Sequence, residues 1–72
     1  MELTQFDLLK AYAEKYYDGH YTVMRFTTNY RVAFGTICSA DIDGIYGDIN
    51  RMAEGKTLER ACKVCIDKNI SL

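Results

Sequence analysis

The residues best suited to chemistry in this chain are its three cysteines and its single histidine. Cys62 and Cys65 are three positions apart, so their sulfur atoms would lie on one face of a helix. With Cys38 and His20 they could complete a Cys₃His zinc site, and zinc would help to stabilise so small a fold. The alternative is that both cysteines are core positions, because free cysteine is among the most buried residue types. We favour buried thiols and predict no metal and no cofactor.

The sequence gives less support to a redox, a nucleophilic or a calcium-binding site. A redox-active CxxC places its first cysteine at a helix N-terminus, whereas Cys62 lies about five residues beyond the expected cap, Thr57. His20 follows Asp18 closely, but no nucleophile elbow or oxyanion arrangement accompanies it. Asp41-x-Asp43 fails the calcium-loop pattern, since Tyr46 stands where that loop needs glycine. We therefore predict no catalytic residue and a protein that is not an enzyme.

Composition limits the class of protein. The chain has 72 residues, is 49% hydrophobic and 26% charged, and has a formal net charge of −1. This is the composition of a globular domain, and we expect one domain over residues 1–72. It has no apolar run of about 18 residues and no secretory signal, so we expect a cytoplasmic protein with reduced thiols. The net charge argues against non-specific nucleic-acid binding.

The chain is organised around a predicted β-hairpin from His20 to Ile37, with the sequence HYTVMRFTTNYRVAFGTI. β-Branched and aromatic residues crowd this stretch, as is typical of half-buried strands. Thr28-Asn29 is the expected turn, because asparagine tolerates a left-handed backbone.

The sequence allows two registers for this hairpin, because side chains alternate between two faces that are both partly apolar. A two-residue turn at Thr28-Asn29 divides the side chains into one set with His20, Thr22, Met24, Phe26, Arg31, Ala33 and Ile37, and another with Tyr21, Val23, Arg25, Thr27, Tyr30, Val32 and Phe34. A three-residue turn would instead place Met24 and Phe26 beside Val32 and Phe34. Either register leaves apolar surface on the face away from the core.

Three helices are expected to pack on the hairpin. The first runs from about Thr4, which can cap it with Asp7, to Tyr17. The last runs from Leu58 to about Asn69 after a Thr57 cap, with an apolar stripe formed by Leu58, Ala61, Cys62, Cys65 and Ile66. The predicted fold is α+β, in the order α-β-β-α-α.

The middle helix is less well defined. Ile42, Ile45, Ile49 and Met52 share one helical face, and Ser39 is a suitable N-cap. Gly44 and Gly47 disfavour a helix, so we expect it to start late, near Ile45, and to end at Gly55.

The segment from Gly55 to Ala61, GKTLERA, resembles a segment of small α+β proteins, among them HicB-type antitoxins. The resemblance covers about seven residues and consists of a glycine stop followed by a threonine cap. Because both are general features of helix boundaries, the resemblance implies no function.

The spare apolar surface predicts a partner. Small domains bury only about 60% of their unfolded surface, and tyrosine, of which there are six, is enriched in interfaces. We predict a small non-catalytic protein-interaction module, acting as a homo-oligomer, such as a homodimer, or as an adaptor or inhibitor of one larger protein. No membrane contact and no small-molecule substrate are expected. The predicted partner-binding residues are Tyr12, Tyr16, Tyr21, Arg25, Tyr30 and Arg31.

Two other classes remain open. The hairpin could bind nucleic acid through aromatic rings and arginines, namely Tyr21, Arg25, Tyr30, Arg31 and Phe34. A small zinc-stabilised protein is the second alternative.

Overall fold

The computed structural model describes residues 3–37 and 41–72, and these form three helices and a three-stranded antiparallel sheet. In chain order the elements are α1 (Gln5–Tyr16), β1 (Tyr21–Arg25), β2 (Tyr30–Phe34), α2 (Ile42–Arg51), β3 (Ala53–Gly55) and α3 (Leu58–Lys68). The α+β class and the hairpin are confirmed, and the order α-β-β-α-β-α adds one strand that was not predicted. No helix of the described ranges is long and apolar enough to cross a membrane.

The first and last helices have the boundaries that their capping residues predict. Thr4 and Asp7 form a full capping box, with both hydrogen bonds at 3.0 Å. The chain leaves α1 through Gly19, whose φ of +80° suits glycine. Thr57 caps α3, and Asn69 ends it in the left-handed conformation.

The hairpin turn lies one residue earlier than expected. The Phe26 amide donates to the Asn29 carbonyl at 2.8 Å, so the loop is Thr27-Thr28. Asn29 does not supply a left-handed backbone, since Asp18 and Asn69 are the only non-glycine residues with positive φ among those described.

The observed register pairs Tyr21 with Phe34, Val23 with Val32 and Arg25 with Tyr30. It differs by two residues from the register of a Thr28-Asn29 turn, and a two-residue shift leaves every side chain on the same face. The two sets of side chains that the Thr28-Asn29 turn places on opposite faces of the hairpin are therefore confirmed. The alternative register, with a three-residue turn, is wrong.

The sheet face that carries these pairs packs against α1 and α3. The buried core on this face comprises Leu9, Ala13, Val32, Phe34, Ala53, Ala61, Cys62 and Cys65. The predicted apolar stripe of α3 is confirmed, because its central residues are fully buried in this core. Burial of this apolar surface holds the helical layer on the sheet.

The opposite face of the sheet lies beside the end of α2. Arg31 reaches from this face to the Ile49 carbonyl at 3.2 Å and to Glu54 at 2.9 Å. The predicted late start of α2 is wrong, since Asp41 caps a helix that begins at Ile42, accepting the Gly44 amide at 2.6 Å. The expected cap Ser39 lies outside the described residues. Of the four apolar residues expected on one face of this helix, Ile42 is 66% exposed at its start and Met52 is buried at its end.

Gly55 lies in β3 and does not end a helix. It pairs with Tyr30, and a Cβ atom there would lie 2.4 Å from the Ala61 amide nitrogen. Glycine is needed because α3 crosses β3 at close range.

The second side of β2 is occupied along most of its length. Its first three residues pair with β3, and Phe34 forms a parallel bridge with Ser71. The Phe34 amide donates to the Ile70 carbonyl at 3.0 Å, and the Leu72 amide donates to the Phe34 carbonyl at 2.8 Å. β2 is therefore the central strand, and β1 is the long outer strand.

Candidate protein-interaction surface

The outer edge of β1 is a row of backbone groups that no strand of the described chain pairs with. In an antiparallel pair, alternate residues bond to the neighbouring strand. The bonds from Gly35 to His20 and from Phe26 to Asn29 fix this alternation, so even-numbered residues of β1 bond to β2. The N–H and C=O groups of Tyr21, Val23 and Arg25 therefore point away from the sheet.

This edge lacks most of the features that prevent strands from pairing with other chains. Natural edge strands are short, bulged, charged or interrupted by proline. β1 pairs with β2 over five consecutive residues without a bulge, and its sequence, YTVMR, has one charge, at the last residue. Val23, at its centre, is 38% exposed. The other outer strand, β3, has only three residues.

Val23 was not among the predicted site residues. Its importance depends on which neighbour β2 has on its other side, and the sequence signal for β3 is too short to reveal that neighbour.

Two of the predicted tyrosines, Tyr21 and Tyr30, lie between the sheet and the helices. Both pack against the buried core, and the Tyr21 ring meets the Phe6 ring edge to face at 5.7 Å. Arg25 lies over the Tyr30 ring at 5.6 Å, at the tip of the hairpin. Alanine at either tyrosine would remove core packing as well as any interface contact, so these positions are poor tests of binding.

Tyr12 and Tyr16 form a second, separate surface on α1. They are 44% and 61% exposed, and their rings stack with centroids 6.0 Å apart. They border an open groove of about 370 Å³ that also touches Tyr17, Phe34, Ile66 and Asn69.

The floor of this groove is formed by Tyr17, which makes two contacts there. Tyr17 stacks on Phe34 at 4.5 Å, and its hydroxyl donates to the Asn69 side chain at 2.7 Å.

Arg31 lies on the opposite face of the sheet, held by Glu54 and by the end of α2. The six predicted residues therefore occupy three places. Tyr12 and Tyr16 are together, Arg25 is with Tyr30 and on the same strand as Tyr21, and Arg31 is apart from both groups.

The cysteines of α3 are poorly placed for chemistry. Cys62 and Cys65 are fully buried, and burial raises the pKa of each thiol to about 11. Cys65 also donates to the Ile70 carbonyl at 3.4 Å. Thiols of this kind are mostly protonated at neutral pH, which disfavours nucleophilic and redox roles.

The structure describes three of the four residues considered for a zinc site, namely His20, Cys62 and Cys65. Cys38 lies outside the described residues. Across residues 3–37 and 41–72, no group of three or more His, Cys, Asp or Glu side chains is placed to hold a metal ion.

Comparison with known proteins adds no identification. No protein-family model matches the chain, no curated protein is significantly similar to it, and no solved structure matches it significantly.

Proposed function

We propose that this chain is a small non-catalytic protein-interaction module that binds by strand addition. Its binding element is the outer edge of β1, which accepts an extended protein segment as a fourth strand of the sheet. The segment comes from a second copy of the chain or from one larger protein. The observation that carries this proposal is the row of outward-facing backbone groups at Tyr21, Val23 and Arg25.

The surroundings of the edge support a peptide ligand more than a nucleic acid. Binding to single-stranded nucleic acid needs aromatic rings with a free face. Phe34 is 1% exposed and stacked on Tyr17, and Tyr21 packs against Phe6. Arg31 is already paired with Glu54. Backbone pairing needs none of these side chains.

The test uses a substitution that removes one outward donor and leaves the hairpin bonds intact. Val23→Pro deletes an N–H that points to the free edge, where proline is tolerated in an edge strand. Val23→Thr is the matched control, because it keeps the donor and the β-branched shape. Loss of one backbone hydrogen bond, worth about 0.5–1.5 kcal/mol, weakens binding about 2- to 12-fold, and the proline ring adds steric exclusion.

Binding is measured in two ways: light scattering over a concentration series for self-association, and capture from native cell extract for another protein. We expect the threonine variant to bind as the parent does and the proline variant to lose the complex while circular dichroism shows it folded. Binding by Val23→Pro with the same affinity as Val23→Thr contradicts strand addition.

A second readout does not depend on proline. Residue-resolved amide exchange in the free chain is expected to be slow at Thr22 and Met24 and fast at Tyr21, Val23 and Arg25. Strand addition slows the three outward amides in the complex, whereas binding through the Tyr12–Tyr16 groove would leave all of them fast. Tyr12→Ala and Tyr16→Ala test that groove directly, since both side chains are exposed.

A further inference from the structure

We infer that the fourth strand is β1 of a second copy, paired antiparallel with Val23 on the two-fold axis. This inference rests on the proposed function and names its partner. Two copies that share one edge around a two-fold axis bury the same residues on each side. An axis perpendicular to the sheet makes the two β1 strands antiparallel and joins two three-stranded sheets into one continuous sheet. Both helical layers then lie on the same face.

The backbone restricts the possible registers. Only Tyr21, Val23 and Arg25 present outward groups, so each must face an outward residue of the other copy. Pairing Val23 with Val23 also pairs Tyr21 with Arg25 and Arg25 with Tyr21, which uses all three outward residues of each copy. A shift of two residues in either direction leaves one outward residue of each copy unpaired. The centred register therefore makes the most hydrogen bonds.

The side chains favour the same register. Arg25 is the only charged residue of β1, and the centred register sets it opposite Tyr21, which carries no charge and so does not repel it. The two arginines are then about four residues apart along the strands, or about 14 Å, beyond the Debye length of about 8 Å at physiological ionic strength. The exposed Val23 side chains meet each other, an apolar pair that stabilises adjacent strands.

The second copy is thus a complementary partner, because the strand is self-complementary in polarity, in charge and in apolar surface. A strand with a charge at its centre, or with Arg25 opposite itself, would repel its own copy. β1 avoids both when it is centred on Val23.

The experiment reads the register by disulfide formation between single cysteines introduced on β1. The background carries Cys38→Ser, and the native Cys62 and Cys65 are buried and protected from oxidation. The variants are Thr22→Cys, Val23→Cys and Met24→Cys, with Thr27→Cys in the exposed hairpin loop as the control for random collision.

In the centred register the two residues at position 23 have Cα atoms about 5.5 Å apart, within disulfide range. Copies of position 22, and copies of position 24, are about 8 Å apart and out of range. We expect mild oxidation to give a covalent dimer from Val23→Cys, and monomer from the other three. The parent chain should be dimeric by light scattering, and its amides at Tyr21, Val23 and Arg25 should exchange more slowly as concentration rises.

The other outcomes separate the two proposals. A covalent dimer from Thr22→Cys or Met24→Cys means that two copies pair in a shifted register, which overturns the centred register and leaves strand addition standing. Equal crosslinking of all four variants would show that the disulfides form by random collision, and this overturns the inference. A monomeric parent overturns the second copy as partner. If capture from extract then depends on the Val23 amide, the proposed function survives with a different partner, and if it does not, both fail.

Discussion

Replacing Gly55 by alanine is expected to destabilise the fold through a single methyl group. The added Cβ would lie 2.4 Å from the Ala61 nitrogen and 2.9 Å from the Ala61 Cα, whereas ordinary contacts begin at 3.4 Å. Both neighbours are backbone atoms of α3, so no side chain can rotate away. The helix must retreat from β3 by about 1 Å, and this opens the buried contacts of Cys62 and Ala53.

The magnitude follows from overpacking. Inserting a methyl group into a well-packed core costs about 1–3 kcal/mol. A domain of 72 residues has a free energy of unfolding of roughly 4–11 kcal/mol, at about 0.05–0.15 kcal/mol per residue. A loss of about 2 kcal/mol is a large part of that total, and it lowers the melting temperature by roughly 8–16 °C.

The assay is urea denaturation followed by circular dichroism, with Gly47→Ala as the control. Gly47 lies inside α2, and a Cβ there would meet nothing within 4 Å. The same chemical change at Gly47 should raise the free energy of unfolding by about 0.5–1 kcal/mol, because alanine favours the helix. The two substitutions should therefore have opposite signs. Equal unfolding midpoints for the two variants would refute the argument that α3 and β3 touch at this position.

Three other predictions concern stability. Glu59→Gln should lower the free energy of unfolding in urea titrations by about 1 kcal/mol, because the Glu59 carboxylate accepts hydrogen bonds from the first two amides of α1, at 2.6 and 3.2 Å. Asp67→Asn, which breaks an exposed ion pair, is the control and should change this free energy by less than about 0.5 kcal/mol. Burial raises the pKa of the Cys62 thiol from 9.0 to about 11, so the protonated thiol contributes fully to the free energy of unfolding below pH 9 and loses that contribution between pH 9 and 11. Cys62→Ala should therefore make the unfolding midpoint decline less steeply over that pH range. Tyr17→Phe should lower the thermal midpoint by removing the bond to the α3 cap, while Tyr16→Phe should leave it unchanged, and equal shifts would contradict that difference.

The capped helices and the hairpin could be predicted because their signals are local. Thr4 with Asp7, and Thr57 before α3, are boundaries that a few neighbouring residues determine. β3 could not be predicted, since Ala-Glu-Gly is too short and has too little strand propensity. Once β3 is missed, Gly55 is taken as a helix end, although its role is a close approach to α3 that depends on residues distant in sequence.

The candidate site could be predicted only in part. The aromatic and arginine content of the hairpin predicts Tyr21, Arg25 and Tyr30, and all three belong to the two end pairs between β1 and β2. Their side chains, however, face the helices. Which edge of a sheet is free depends on all strands together, and here on Ser71, near the far end of the sequence, which bridges to Phe34. No local pattern carries that information.

The unequal edges of the sheet also limit how many molecules can associate. A fibril grows when each molecule offers two long edges, one to receive a strand and one to donate the next. Here one outer strand has five residues and the other, β3, has three, and β3 is crossed closely by α3 at Gly55. Among the strands that residues 3–37 and 41–72 form, a molecule that has used β1 has no comparable edge left. If strands add at β1 as proposed, we expect a finite complex and not a polymer.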